Sequence, residues 1–139
     1  MKKLVITTAL FGACCFLPHF LQAAPKITKP KPVTGIRIQG RVKASTKPPR
    51  PGSVPYKDAV IALHLTGVQA LGGKSPREIV VFVWGMRGNR WTPAATYRPG
   101  QIVRLRLTPW EKAERKVGRY NRFELQDEAT YDLENFWGE

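Results

Sequence analysis

The sequence has very few of the side chains that carry most enzymatic and metal chemistry. Its 139 residues include two cysteines, Cys14 and Cys15, and two histidines, His19 and His64. Three of these four lie in an apolar N-terminal stretch, so a Ser-His-Asp triad would have to be built around His64. His64 itself sits in an apolar run, where we expect a half-buried or outward strand position. We therefore expect no catalytic site, no metal site and no cofactor.

Residues 1–23 have the three-part pattern of a secretory signal. Lys2 and Lys3 precede an apolar run of about fourteen residues, which is shorter than the roughly 20 that span a bilayer as a helix. We expect cleavage after Ala23 and a periplasmic or secreted protein. A permanent N-terminal anchor and lipid attachment at Cys14 stay open as alternatives. Cleavage after Ala23 would remove both cysteines, so we expect a domain without a disulfide.

Charge is distributed very unevenly along the chain. The formal net charge is +13, and residues 24–57 contain nine basic residues and no acidic one. Residues 124–139 contain six acidic residues and no basic one. Such a field favours anionic polymers or membrane surfaces as partners. The alternative is that the acidic segment folds back and neutralises part of the basic body.

Strand patterns dominate the central part of the chain. Residues 34–44 and 102–108 alternate between apolar and polar side chains, and residues 79–84 are apolar on both faces. Pro99-Gly100 is typical of a type II turn. The alternation predicts an outer face for six polar side chains: Arg37, Gln39, Arg41, Lys43, Arg104 and Arg106.

The remaining segments supply loops, two further strands and one helix. Prolines predict an extended loop over residues 45–56, residues 58–71 read as a strand, and residues 119–125 as one more. Residues 91–97 read as a short edge strand interrupted by proline. Thr108 as N-cap, Pro109 at the first helical position and Glu111 as the capping-box partner predict a short helix.

These elements predict an all-β fold, either a small antiparallel barrel of the OB kind or a compact sandwich, with one short helix after the last main strand. The barrel is favoured because it closes its edges at this length. We divide the chain into a signal peptide (1–23), a basic proline-rich linker (24–33), the β-barrel domain (34–125) and an acidic C-terminal tail (126–139).

Candidate ligand-binding residues gather around one predicted hairpin. Aromatic side chains stack on sugars or bases, and arginine binds carboxylates and phosphates with two parallel hydrogen bonds. The alternative is that the two tryptophans pack across the hairpin as core. We take the hairpin residues together with two arginines of a strand expected beside it: Trp84, Arg87, Arg90, Trp91, Arg104 and Arg106.

Five short motifs stand out between residues 55 and 125: Pro55-Tyr56-Lys57-Asp58-Ala59-Val60, Val83-Trp84-Gly85-Met86-Arg87, Pro99-Gly100-Gln101, Leu105-Arg106-Leu107-Thr108-Pro109-Trp110 and Glu124-Leu125. In these motifs the chain resembles small exported bacterial proteins associated with exopolysaccharide O-acetylation systems. In those systems a membrane-bound O-acyltransferase works with a periplasmic esterase-like acetyltransferase. The resemblance covers about residues 55–128. It implies an accessory role without a catalytic set, and it assigns no functional residues.

The sequence therefore predicts a non-enzymatic, exported binding or accessory module. Its expected partner is an anionic cell-envelope or exported polysaccharide, or a protein of the machinery that modifies it. A single-stranded nucleic-acid-binding domain of the OB type is the alternative, since basic and aromatic residues also suit that ligand. Export argues against this alternative.

Overall fold

The computed structural model describes residues 35–139 as seven strands, one α-helix and two short 3₁₀ helices. The predicted signal peptide and basic linker lie outside the described residues. The strands are β1 (Ile36–Ser45), β2 (Ala59–Ala70), β3 (Glu78–Arg87), β4 (Arg90–Trp91), β5 (Ile102–Pro109), β6 (Asn121–Phe123) and β7 (Asn135–Gly138). Helix α1 spans Trp110–Val117, and the 3₁₀ helices span Pro93–Thr96 and Glu128–Thr130.

Five of the strands close into a barrel, which confirms the predicted OB-like architecture. Around the barrel the order is β1, β2, β3, β7, β5 and back to β1. Four of these neighbouring pairs are antiparallel, and the β3–β7 pair is parallel, with Phe82 opposite Trp137. Strands β4 and β6 lie outside the closed ring, on β3 and β2.

The acidic C-terminal segment takes part in this closure. Residues 135–138, which the sequence analysis assigns to a tail, form β7 between β3 and β5. Gly138 faces Leu107, and a Cβ at Gly138 would meet the Val81 side chain at 2.6 Å. A side chain at this position would therefore collide with the core, which is why glycine is required where β7 crosses it.

Two apolar clusters lie on opposite sides of the barrel wall. On β2, Ile61, Leu63 and Leu65 are fully buried in the interior, as the alternation predicts. Val60 and Ala62 face the other side, where they join a second cluster that includes α1. The second cluster consists of Val60, Ala62, Val80, Phe82, Trp110, Ala113, Val117 and Trp137, with Trp84, Tyr120, Leu125 and Leu133 partly buried around it.

The start of α1 differs from the prediction. The helix begins at Trp110, and Pro109 instead of Thr108 is its N-cap. Thr108 and Pro109 instead remain in β5, opposite Trp137 and Phe136 of β7. Strand pairing keeps the backbone of Pro109 extended at φ −50° and ψ 138°, so the helix starts one residue later than predicted.

The predicted edge strand over residues 91–97 is also wrong beyond its first residue. Strand β4 ends at Trp91, and Pro93–Thr96 form a 3₁₀ helix. Thr92 donates a hydrogen bond from its hydroxyl to the Trp84 carbonyl, and Ala94 is buried in the interior cluster. The chain therefore leaves the sheet after Trp91 and packs Ala94 into the interior cluster instead of extending the sheet.

His64 is more deeply buried than predicted. It lies on the outward side of β2, but its side chain has no exposure to solvent. Its Nε2 donates a hydrogen bond of 2.8 Å to Oε2 of Glu78, and Lys43 Nζ lies 3.7 Å from the same oxygen. Since a carboxylate only accepts hydrogen bonds, this contact places the imidazole proton on Nε2.

These contacts predict an acid-sensitive contribution to stability. The hydrogen bond from His64 is the main cause that holds the pKa of Glu78 below its ordinary value, with the Lys43 charge adding to it and burial opposing it. A lowered pKa stabilises the folded state above the unfolded pKa, and this stability is lost as pH falls through the folded pKa. We expect Glu78→Gln to lower the melting temperature at about pH 7 and to have little effect at about pH 2. Equal effects at both pH values would contradict this assignment.

Candidate ligand-binding surface

Strands β1 and β5 pair along their length and present one cationic outer face. Their register places Arg37 opposite Arg106 and Gln39 opposite Arg104. The interior partners Ile38 and Leu105 alternate with these residues and are buried. We call this surface the β1–β5 face: Arg37, Gln39, Arg41, Arg104 and Arg106.

Like charges meet directly across this face. Side chains directly opposite each other on antiparallel strands have Cβ atoms roughly 4.5–5.5 Å apart, and like charges in such pairs destabilise a sheet. Arg37 and Arg106 form such a pair, and no acidic side chain of residues 35–139 forms a salt bridge with either. An anion bound by both arginines would relieve this repulsion.

Two adjoining grooves run along the same face. The first has a volume of about 470 Å³, and Arg37, Arg106, Leu71 and Glu139 lie around it. The second has a volume of about 560 Å³ and is lined in part by Tyr97, Gln101 and Ile102. Gln39 and Arg104 line both grooves and are joined by a hydrogen bond of 3.0 Å from Arg104 Nε to Gln39 Oε1. The grooves therefore form one open track.

A turn fixes one end of the track. Arg98 O accepts a hydrogen bond from Gln101 N at 3.1 Å, and Gly100 has a φ of +91°, as a type II turn requires. The predicted Pro99-Gly100 turn is therefore confirmed. Arg41 Nη1 donates a hydrogen bond of 2.8 Å to the Gly100 carbonyl. This contact holds the Arg41 side chain against the turn.

Trp84 is a packing residue. Its ring meets Tyr120 and Trp137 edge-on, with centroid distances of 4.8 and 5.2 Å. The Arg87 guanidinium carbon lies 4.0 Å from the centroid of the same ring, and Arg87 Nε lies 3.5 Å from Asp58 Oδ1. For Trp84 the structure therefore agrees with core packing, and its neighbours leave little of the ring for a ligand.

Trp91 has the opposite environment. It is 54% exposed, and its indole N–H donates a hydrogen bond of 2.9 Å to the Pro49 carbonyl. Gly88 and Asn89 form the turn before it, both with positive φ, and Asn89 Oδ1 accepts a hydrogen bond of 2.6 Å from Gly52 N. The hairpin is thus fixed to the proline-rich loop, and Trp91 is held on the surface beside the exposed Arg90.

The six sequence-predicted residues therefore form two groups. Arg104 and Arg106 lie on β5, whereas Trp84, Arg87, Arg90 and Trp91 lie on β3 and β4. Strands β3 and β5 are not neighbours, because β7 lies between them.

The binding residues predicted from the sequence do not include Arg37 and Gln39. The structure places these two residues opposite Arg106 and Arg104. Alternation in β1 already put both on an outer face, and that signal could have found them. The sequence did not show that β1 pairs with β5, and this pairing is what brings the two residues to the arginines of β5.

Comparison with known proteins found no relative, because no family model, curated protein or solved structure matches the chain. Within residues 35–139, no three or more His, Cys, Asp or Glu side chains come together as a metal site. In the same part of the chain, no helix has the length and apolarity to cross a membrane. The chemistry of the surface is therefore the basis for a functional proposal.

Proposed function

We propose that this protein is a non-enzymatic, exported module that binds an anionic cell-envelope or exported polysaccharide through the β1–β5 face. The observation that carries the proposal is the Arg37–Arg106 pair. The two residues are opposite each other in the strand register, both line the first groove with Glu139, and neither forms a salt bridge within residues 35–139. Arginine offers two parallel donors to a carboxylate, so one uronate or phosphate group can bind both residues. The pair thus suits a ligand with acidic groups.

The shape of the face supports a polymer as the ligand. The two grooves are open and adjoin at Gln39 and Arg104, so a chain can pass from one to the other. Successive strand residues are about 3.4 Å apart, so the track from Ile102 to Arg106 is on the order of 14 Å long. This length accommodates a segment of a polymer rather than a single small ion.

The side chains around the track favour a saccharide over a nucleic acid. Gln39 and Gln101 bring amide donors and acceptors that suit sugar hydroxyl groups. The exposed apolar residues at the edges, Leu71 and Ile102, are aliphatic. Binding of single-stranded nucleic acid relies on a series of aromatic platforms for the bases, and the track offers one half-buried aromatic residue, Tyr97.

The burial of His64 keeps the one histidine of the described residues away from this face. His64 is the only histidine among residues 35–139, and it is fully buried with its Nε2 engaged by Glu78. It therefore has no access to a ligand on the β1–β5 face. Together with the exopolysaccharide resemblance, this leads us to propose an accessory role for the protein, acting on the polymer itself or beside the enzymes that modify it.

A binding panel tests this proposal. Affinities for polygalacturonate, neutral dextran and single-stranded poly(dT) are measured at the same ionic strength by biolayer interferometry. We expect the tightest binding to polygalacturonate and none to dextran. Equal binding to dextran, or no binding to polygalacturonate, would overturn the proposal. Tighter binding to poly(dT) would also overturn it and would favour the nucleic-acid alternative.

A further inference from the structure

We propose that the protein binds two polysaccharide chains at once and so bridges them. The first chain lies on the β1–β5 face, and the second contacts a hairpin platform formed by Arg90, Trp91 and Arg50. This inference rests on the proposed function, because it assumes that the β1–β5 face binds an anionic polysaccharide. It adds a second contact and a role in joining polymer chains.

The platform is held in place before any ligand binds. The hydrogen bond from the Trp91 indole to Pro49 O restrains the ring, while the side chain remains 54% exposed. Asn89 reinforces the same junction through Gly52 N and through its own N–H, which donates to Lys57 O at 2.7 Å. A ring held in this way loses little conformational freedom on binding, which favours stacking on a sugar ring.

The platform also carries unneutralised positive charge. Arg90 and Arg50 are exposed, and neither forms a salt bridge with an acidic residue of the described part of the chain. The closest acidic residue along the hairpin, Asp58, is already engaged by Arg87 and by the Gly88 N–H. Arg90 precedes Trp91, and Arg50 follows Pro49, whose carbonyl binds the indole. An exposed aromatic ring with exposed arginines next to it in the chain suits the same class of ligand as the β1–β5 face.

The two surfaces lie on strands that are not neighbours in the sheet. Strand β7 separates β3 from β5, and it brings the acidic Glu139 beside Arg106, where the backbones of the two residues exchange hydrogen bonds of 2.8 and 3.0 Å. Along the chain, residues 92–97 connect Trp91 to Arg98 without a charged side chain. An anionic polymer therefore meets two cationic surfaces with no continuous cationic path along these connections, which favours two bound chains over one wrapped chain.

A sandwich assay tests the bridging. The full protein is bound to immobilised polygalacturonate, the surface is washed, and capture of soluble fluorescein-labelled polygalacturonate is measured. We expect the unmodified protein to capture the labelled polymer. The double variant Arg90→Ala with Trp91→Ala should still bind the immobilised polymer but capture about tenfold less of the soluble one. Arg90→Glu, which keeps Trp91 in place, should show the same loss.

A matched variant controls for total charge. Lys112→Ala with Arg115→Ala removes two exposed charges from α1 and should capture as much soluble polymer as the unmodified protein. If the unmodified protein binds the immobilised polymer and captures no second chain, bridging is wrong and the proposed function stands. Undiminished capture by the Arg90 variants would also overturn bridging through the platform, since self-association of the protein would then explain it. Failure to bind the immobilised polymer would overturn the proposed function itself.

Discussion

Replacing Arg104 and Arg106 together by glutamate is expected to weaken binding of polygalacturonate at least about tenfold. The change removes two guanidinium groups from the groove and introduces two carboxylates that repel the ligand. A glutamate at position 106 would also lie opposite Arg37 and pair with it across the strands. The remaining cation of the pair would then be neutralised, so the effect should exceed that of removing two charges.

The measurement compares this variant with the α1 variant Lys112→Glu and Arg115→Glu, which changes the net charge equally on another surface. The α1 variant should lose little affinity at moderate salt, because screening weakens charges more than roughly 10 Å from the ligand. Both variants should keep the far-ultraviolet circular dichroism of the unmodified protein. Equal losses in the two variants would show that net charge alone attracts the polymer, and the groove would then have no specific role.

Trp137→Ala is expected to cost about 3–5 kcal/mol of folding free energy. The Trp137 side chain is 4% exposed, meets Trp84 at 5.2 Å and donates from its Nε1 to Glu139 Oε1 at 3.1 Å. It also lies on β7, which closes the barrel between β3 and β5. Removing the ring leaves a cavity beneath α1, which the surrounding strands cannot fill without losing their pairing.

Urea unfolding measures this loss, with Tyr131→Ala as the control from the same acidic segment. Tyr131 is 69% exposed, so its replacement should change the free energy of unfolding by less than about 0.5 kcal/mol. If Trp137→Ala were as mild as Tyr131→Ala, the C-terminal segment would be a solvated tail. The pairing of β7 with β3 and β5, which closes the barrel, would then be wrong.

Local patterns predicted the parts of the fold that depend on neighbouring residues. The alternation in β2 separated Ile61, Leu63 and Leu65 from Val60 and Ala62, and the structure places these two sets on opposite sides of the wall. The Pro99-Gly100 turn was equally visible, because its backbone requirement is met by two adjacent residue types.

The features that could not be predicted from the sequence, strand β7 and the start of α1, depend on pairing between strands that are distant in the chain. Strand β7 has four residues and stands among acidic neighbours, so its alternation is too brief to distinguish from a loop. Phe136 and Trp137 were the available signal, since one packs against the interior cluster and the other joins the outer one. The pairing of Thr108 and Pro109 with β7 likewise moved the start of α1 one residue beyond the predicted position.

The candidate site was likewise predictable where it depends on local patterns and not where it depends on long-range pairing. Arg104 and Arg106 were placed on an outer face by alternation, but their partner across the strands, Arg37, depends on the β1–β5 register. Trp84 and Trp91 looked equivalent in the sequence. The structure distinguishes them, because Trp84 contacts Tyr120 and Trp137 whereas Trp91 extends onto the surface beside Pro49.

The most direct test of the central claim is the salt dependence of polygalacturonate affinity. Each guanidinium group that neutralises a polymer charge releases condensed counterions, as in nucleic-acid binding, so the logarithm of affinity should fall linearly with the logarithm of salt concentration. Arg104→Ala with Arg106→Ala should make this slope shallower by about one to two units. Trp91→Ala should leave the slope unchanged, because stacking releases no ions. An unchanged slope in the arginine variant would contradict binding of the polymer by the β1–β5 face.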